Sequence, residues 1–263
     1  MAVLTVLSAK GSPGATTTAL LTAALWPRPV LLVDADPAGG DVAVRLAAEA
    51  GGPLDADRGL LPLLSAARRG LTPGQVVAEA QRASGGCSVV TGLAGPEQSA
   101  AAAAHWPTLA AAVAEVTAVS GPDVVVDAGR TAPDDVHLPL LRTSDVVVLV
   151  LRSDVGSVLH ARERVRGLAT ALRRADGLLP RFGVVVVGGT RRDLTQAVEA
   201  VRSAGEFVEE FGALPLDPAG ARVFDGGRTL RPERTALVRA GSGVVAALHR
   251  AATGGARDGR SAA

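Results

Sequence analysis

Residues 8–20 read SAKGSPGATTTAL. Upstream lies a short apolar run rich in β-branched residues, AVLTVLSA (2–9). Downstream, Thr, Ala and Leu continue without Gly or Pro as far as Pro27. A strand that ends in a Gly-rich turn and runs straight into a helix is the opening unit of a parallel α/β sheet. The same alternation repeats along the chain. Strands are expected at 2–8, 30–34, 87–91, 123–127, 145–151 and 182–187, with a short one at 213–216. Helices are expected at 16–25, 41–50, 60–69, 74–82, 99–119, 155–175, 194–203 and 234–252. The strand runs are apolar at every position rather than at alternate ones, the mark of strands covered on both faces. The expected fold is therefore α/β: a three-layer, doubly wound, mostly parallel sheet of about seven strands with helices on both faces. Residues 1–253 read as a single domain, with 51–86 its least regular part, and 254–263 as a disordered tail.

Composition narrows the classes. With 263 residues the chain can bury a substantial core by itself. A net charge of +1 offers no global attraction for nucleic acid or acidic lipid. The single cysteine, Cys87, excludes an internal disulfide and a cysteine-based metal cage. No apolar run reaches membrane-spanning length without Pro or charge, and AVLTVLSA leads into the Gly loop rather than to a signal-peptide cleavage site, so a cytoplasmic location is expected. Of the 27 Lys and Arg residues only Lys10 is lysine. A lysine retained in an otherwise arginine-using chain, and retained inside the opening loop, points to chemistry that needs an ammonium group.

In a parallel sheet ligands bind at the carboxyl ends of the strands, where this loop lies. Successive backbone N–H groups turned inward at a helix N-terminus make an anion cradle, which the helix dipole reinforces. Gly11 and Gly14 supply the curvature, Thr16 is placed for Mg²⁺ and Thr17 for an α-phosphate. Three positions depart from a generic phosphate loop. Ala15 stands where the lysine that bridges the terminal phosphates belongs, Ala9 takes the first Gly position, and Pro13 has no N–H to give.

KGSPGATTT (10–18) resembles the deviant Walker A loop of the MinD/ParA family of P-loop ATPases, of SIMIBI type, whose pattern is Lys-Gly-Gly-x-Gly-Lys-Thr-Thr. In its Gly-Ala-Thr form it is similar to the TadZ/CpaE branch, which positions pili and septa. The resemblance implies ATP and Mg²⁺ as cofactors, with Gly11, Ser12, Gly14, Ala15, Thr16 and Thr17 binding the nucleotide. Lys10 falls on the family's signature lysine, which reaches across a homodimer interface to the partner's nucleotide. LLVDADPAGGDVA (31–43) resembles the family's switch loop; by that match Asp36 orients the attacking water and Asp34 supports the Mg²⁺ shell. Two carboxylates at a strand's carboxyl end suit that work, although an Asp-Pro turn capping a helix at Asp41 would look the same. DVVVDAGR (123–130) resembles the Walker B strand and puts Asp127 with the metal; a carboxylate ending a buried run needs a cation or strong donors. Arg130, just beyond, is either a solvent-exposed loop arginine or the replacement for the lost lysine charge. GALPLDPAGARVFDGG (212–227) resembles the segment lining the adenine pocket, with Leu216 and Asp217 nearest the base. Gly188 or Gly189 stands where that family's adenine-reading Asn belongs.

Other candidates are weaker. His105, His137, His160 and His249 show no ligand spacing and read as surface or packing residues. Arg162, Arg166 and Arg173 form either a solvated helix face or a nonspecific DNA surface, the former being favoured. The last helix lacks the bulky basic amphipathic pattern of a membrane anchor. The reading is thus an ATP-binding dimerisation switch that partitions or positions an unknown protein cargo, with weak hydrolysis because a positioned cation is missing. The alternative is a pseudo-ATPase scaffold that binds nucleotide weakly or not at all.

Overall fold

The computed structural model describes residues 1–11, 14–118, 121–174, 177–226 and 231–258. Ser12 and Pro13 of the opening loop lie outside them. The strands are β1 (Val3–Ser8), β2 (Val30–Asp34), β3 (Gln81–Arg82), β4 (Ser88–Val90), β5 (Asp123–Arg130), β6 (Val146–Arg152), β7 (Arg181–Val187) and β8 (Val208–Leu214). They form one sheet in the order β3-β4-β2-β5-β1-β6-β7-β8. All pairings are parallel except β3 with β4. The helices, in chain order, are α1 (Ala15–Leu25), α2 (Val42–Arg45), α3 (Leu60–Ala66), α4 (Pro73–Glu79), α5 (Pro96–Ala101) and α6 (Trp106–Ala118). They continue as α7 (Leu138–Arg142), α8 (Val155–Ala171), α9 (Arg191–Arg202), α10 (Pro218–Ala221) and α11 (Ala236–Asp258).

The unbroken apolar strands have the cause expected for them. Alternate residues of β6 enter opposite cores: Val147, Leu149 and Leu151 pack with α6, α7, α8 and α9, while Val146, Val148 and Val150 pack with α1 and α11. All six are buried. Each such side chain stabilises by roughly 1.5–3 kcal/mol relative to exposure, so polar substitution on either face is costly. Because both faces are covered, only the strand ends remain open for function.

Several boundaries differ from expectation, for identifiable reasons. The last strand is β8 at Val208–Leu214 rather than 213–216. It is an edge strand whose Glu209 pairs with Arg181 of β7, so acidic residues that argue against a buried strand are accommodated there. The helix expected at 41–50 stops at Arg45, because Leu46 turns extended and Ala47 and Ala48 bridge to Pro53 and Ala83. The eighth strand, β3, is too short to show a period. The last helix runs on through Asp258, past the 252 boundary and into the stretch expected to be disordered.

Candidate functional site

The carboxyl ends of β1, β2 and β5 adjoin, since β1 and β2 flank β5. After β1 the chain rises into the loop, and Gly14 in the left-handed conformation starts α1. Among the described residues no side chain caps that helix and no acidic residue occupies its first turn, which leaves the amides of Ala15, Thr16 and Thr17 as donors for an anion. Asp154, Thr190 and Asp217 cap α8, α9 and α10, while α2, α3, α5 and α7 start, like α1, without a side-chain cap. The loop's base is tied down from two sides: Thr131 N donates to Ser8 O (3.1 Å), and Arg164 Nη2 of α8 donates to Ala9 O (3.3 Å). The Ala15 side chain is buried in the α1-side core.

Asp34 and Asp127 stand side by side in the β2–β5 register, both fully buried. The Thr16 side chain stands beside Asp127 and favours its charged form, and Gly129 N donates to Asp127 Oδ1 at 3.1 Å. Asp34 Oδ2 accepts from Val42 N at 3.0 Å, but its Oδ1 is buried without a partner among the described residues. Burial first, and the Asp127 charge second, push the Asp34 carboxyl up to about 8. Burial raises Asp127 to about 6, against the opposing effect of Thr16. Both shifts favour a proton or a cation between the two carboxylates over two bare charges. The buried Asp123, at the amino end of the same sheet, makes the contrast plain. It accepts from Ala2 N and Trp26 Nε1, both at 2.8 Å, and pairs with Arg28. One carboxylate is saturated; the other is left open.

Among the described residues no group of three or more His, Cys, Asp or Glu could hold a metal by itself. Mg²⁺ needs no such cage, because it keeps water and takes further ligands from phosphate. The unpartnered Asp34 oxygen, Asp127 and the Thr16 hydroxyl fit it.

Asp36 is half-buried and accepts from Ala38 N at 2.8 Å. Burial raises its carboxyl, and the Arg130 guanidinium offsets part of that rise. It lies over Gly129, whose φ is +55° and where an added Cβ would fall 1.8 Å from Asp36 Oδ2. Only glycine serves at that position. Lys10 is exposed, with Nζ 3.0 Å from His160 Nε2 of α8. Both line an open cleft of about 530 Å³ with Pro37, Arg130, Asp135 and Arg164. Arg130 thus belongs to the cleft beside Asp36, and among the described residues it makes no hydrogen bond or ion pair to the loop.

On the other side of the loop, Gly14, Thr17, Arg152, Leu216, Asp217 and Leu237 line a hollow of about 260 Å³. Leu216 is exposed at its rim. Asp217 is engaged by the backbone: Oδ1 accepts from Gly220 N (2.9 Å) and Oδ2 from Leu237 N (3.0 Å), which also holds its carboxyl below the ordinary range. It lines the hollow, with each oxygen holding one backbone amide.

Sequence reading missed Arg45, Arg152, Arg164 and His160 as neighbours of the loop. The spacing of His160 and Arg164, four residues apart on α8, was the one available signal. His137 is a buried core residue against Trp106, its ring pushed down to about 4 by burial. Arg166 pairs with Glu163 (2.7 Å) and Arg173 bonds Gly177 O (2.9 Å), as solvated helix residues do.

No family model matches the chain, and no curated protein does. Solved structures do match, over nearly the full length. A ParA family ATPase from Chlorobium tepidum superposes with a TM-score of 0.72 at 19% identity, over 94% of this chain and 99% of that one. McdA from Cyanothece, in an ATP complex, gives 0.70 at 14% identity, over 95% and 96%. The septum site-determining protein MinD from Pyrococcus horikoshii, complexed with Mg-ADP, gives 0.64 at 16% identity, over 93% and 94%. At these identities the likeness establishes a common three-layer fold.

Proposed function

We propose that the chain is a MinD/ParA-like nucleotide-binding protein that takes ATP with Mg²⁺ and dimerises with it to position or partition a cargo. One arrangement carries this reading: an uncapped α1 N-terminus beside Thr16–Asp127 and an open Asp34 carboxylate, at the strand ends where the fold binds ligands. The loop amides from Gly11 to Thr17, Pro13 excepted, would cradle the phosphates, and the hollow beside Thr17 would take the base. Thr16, Asp34 and Asp127 would hold the cation, which screens phosphate charge when bound. Asp36 is placed to orient water. The deviant loop and its Gly-Ala-Thr form support the TadZ/CpaE-like branch within that group. Two of the structures that share the fold carry ATP and Mg-ADP.

Two features support a second copy as the partner. Lys10 reaches out to His160 rather than back over its own loop. Val44, Val155, Leu159 and Leu216, all exposed, follow the carboxyl ends of β2, β6 and β8, on the face that carries the site. No helix of the described residues is long and apolar enough to cross a membrane. Ala15 favours slow hydrolysis, and taken further it favours the second reading, a scaffold without useful nucleotide affinity. Titration calorimetry with Mg·ATP and Mg·ADP, with sizing in both states, decides between them. Saturable binding and an ATP-dependent dimer lost in Lys10→Ala are expected. Absence of heat with an unchanged mass would leave the scaffold.

A further inference from the structure

We infer that Arg45 is this chain's own phosphate-binding cation, standing at the α-phosphate position in place of the lysine that Ala15 lacks. The inference rests on the nucleotide reading above and names a residue that reading did not use. Arg45 closes α2, the short helix that follows the Asp34–Asp41 turn. Its Nη1 donates to Thr17 Oγ1 at 3.4 Å, across 28 positions of sequence. Thr17 is the third residue of α1, and its hydroxyl is the group a phosphate loop offers to an α-phosphate. The guanidinium is also close enough to favour the charged form of Asp127, so it stands on the loop's carboxylate side as well.

The placement is built rather than casual. Arg45 Nε pairs with Asp225 Oδ1 at 2.9 Å, which orients the planar fork while Nη1 reaches toward Thr17. The Asp34 carboxylate holds the amide of Val42 at the start of the same helix, three residues before Arg45. The side chain is about three-quarters covered, with 24% exposed. A guanidinium is suited to this work, because it stays charged and meets phosphate oxygens with two parallel N–H groups. A cation on the α-phosphate would bind the diphosphate and the triphosphate alike, and would leave the terminal phosphate without the charge that lysine normally brings. Nucleotide affinity without fast hydrolysis is what alanine at 15 together with arginine at 45 would give.

The test measures dissociation constants for Mg·ADP and Mg·ATP by calorimetry on the full chain, with thermal melting of each nucleotide-free variant as the check on folding. Arg45→Gln is expected to weaken both nucleotides by about 10- to 100-fold, and by the same factor, since both carry an α-phosphate. Arg45→Lys, which keeps the charge and loses the fork, is expected to fall between; it carries the test if Arg45→Gln does not fold. Asp225→Asn removes the ion pair and leaves the guanidinium, so binding within a few fold of wild type is expected. Wild-type binding that Arg45→Gln leaves unchanged would overturn the inference and spare the nucleotide reading. Equal losses in Arg45→Gln and Asp225→Asn, matched by equal falls in the melting temperature of the nucleotide-free variants, would show a purely structural role and overturn it too. A loss seen only in Arg152→Gln would move the cation to the other wall of the hollow. A wild type that binds neither nucleotide would remove both the reading and the inference.

Discussion

Asp34 shows how much one buried carboxylate can say. Its folded-state proton affinity is raised, so between about pH 4 and pH 8 the folded chain holds a proton that the unfolded chain has released. The stability contributed by that protonation is present at low pH and lost as pH rises through this window. Asp34→Asn keeps an acceptor for Val42 N and adds an amide that can donate to Asp127. The variant is expected to melt close to wild type at pH 5 and above it at pH 8 in Mg²⁺-free buffer, by about 2 kcal/mol. On the proposed reading Mg·ATP should stabilise wild type, where a cation would take the proton's place, more than the variant, and so close the gap between them. Melting curves at the two pH values, with and without Mg·ATP, check both statements; a pH-independent difference would mean that the carboxyl titrates normally. The presence of Asp34 and Asp127 was legible in the sequence as two acids closing apolar runs. Their proximity was not, because it depends on β2 and β5 lying adjacent and in register.

At the scale of elements, the helix ends separate structural work from functional work. Asp217 lines the hollow, and its two oxygens also secure backbone: the cap of α10 and the first turn of α11. Asp217→Ala is therefore expected to cost about 1–2 kcal/mol of stability in chemical denaturation, while Asp217→Asn costs less. Nucleotide affinity should fall only as far as the wall of the hollow loosens. A large affinity loss in Asp217→Asn at unchanged stability would restore a direct role. The uncapped α1 is the opposite case, and its Gly14 start was visible in the sequence as the Gly-Ala-Thr junction. The premature end of α2 was not visible. It arises from bridges that Ala47 and Ala48 make with partners further along the chain, and it puts Arg45 at a helix end facing the loop.

For the whole molecule, the question is what meets the open end of the sheet. Exposed Val155 and Leu159 lie one turn apart at the start of α8, the helix that carries His160 and Arg164 toward the loop. Leu159 is half exposed and belongs to neither core cluster, so with Leu159→Glu the monomer should melt within about 1 kcal/mol of wild type. It should nevertheless abolish the ATP-dependent shift in mass by sizing or light scattering. Retention of the dimer would place the interface elsewhere. The layered fold needed no tertiary information: strands apolar at every position, spaced by helix-length segments, have few ways to bury both faces other than a doubly wound parallel sheet. The loop's position at the carboxyl end of β1 came with that pattern, as did its missing lysine. What only the folded chain decided is the charge around the loop. Arg45 and Arg164 reach it through hydrogen bonds spanning 28 and 155 positions, and Arg130 lines the cleft that Ala9 and Lys10 also border. Side chains distant in sequence meet according to strand order and helix packing, and no local period records either.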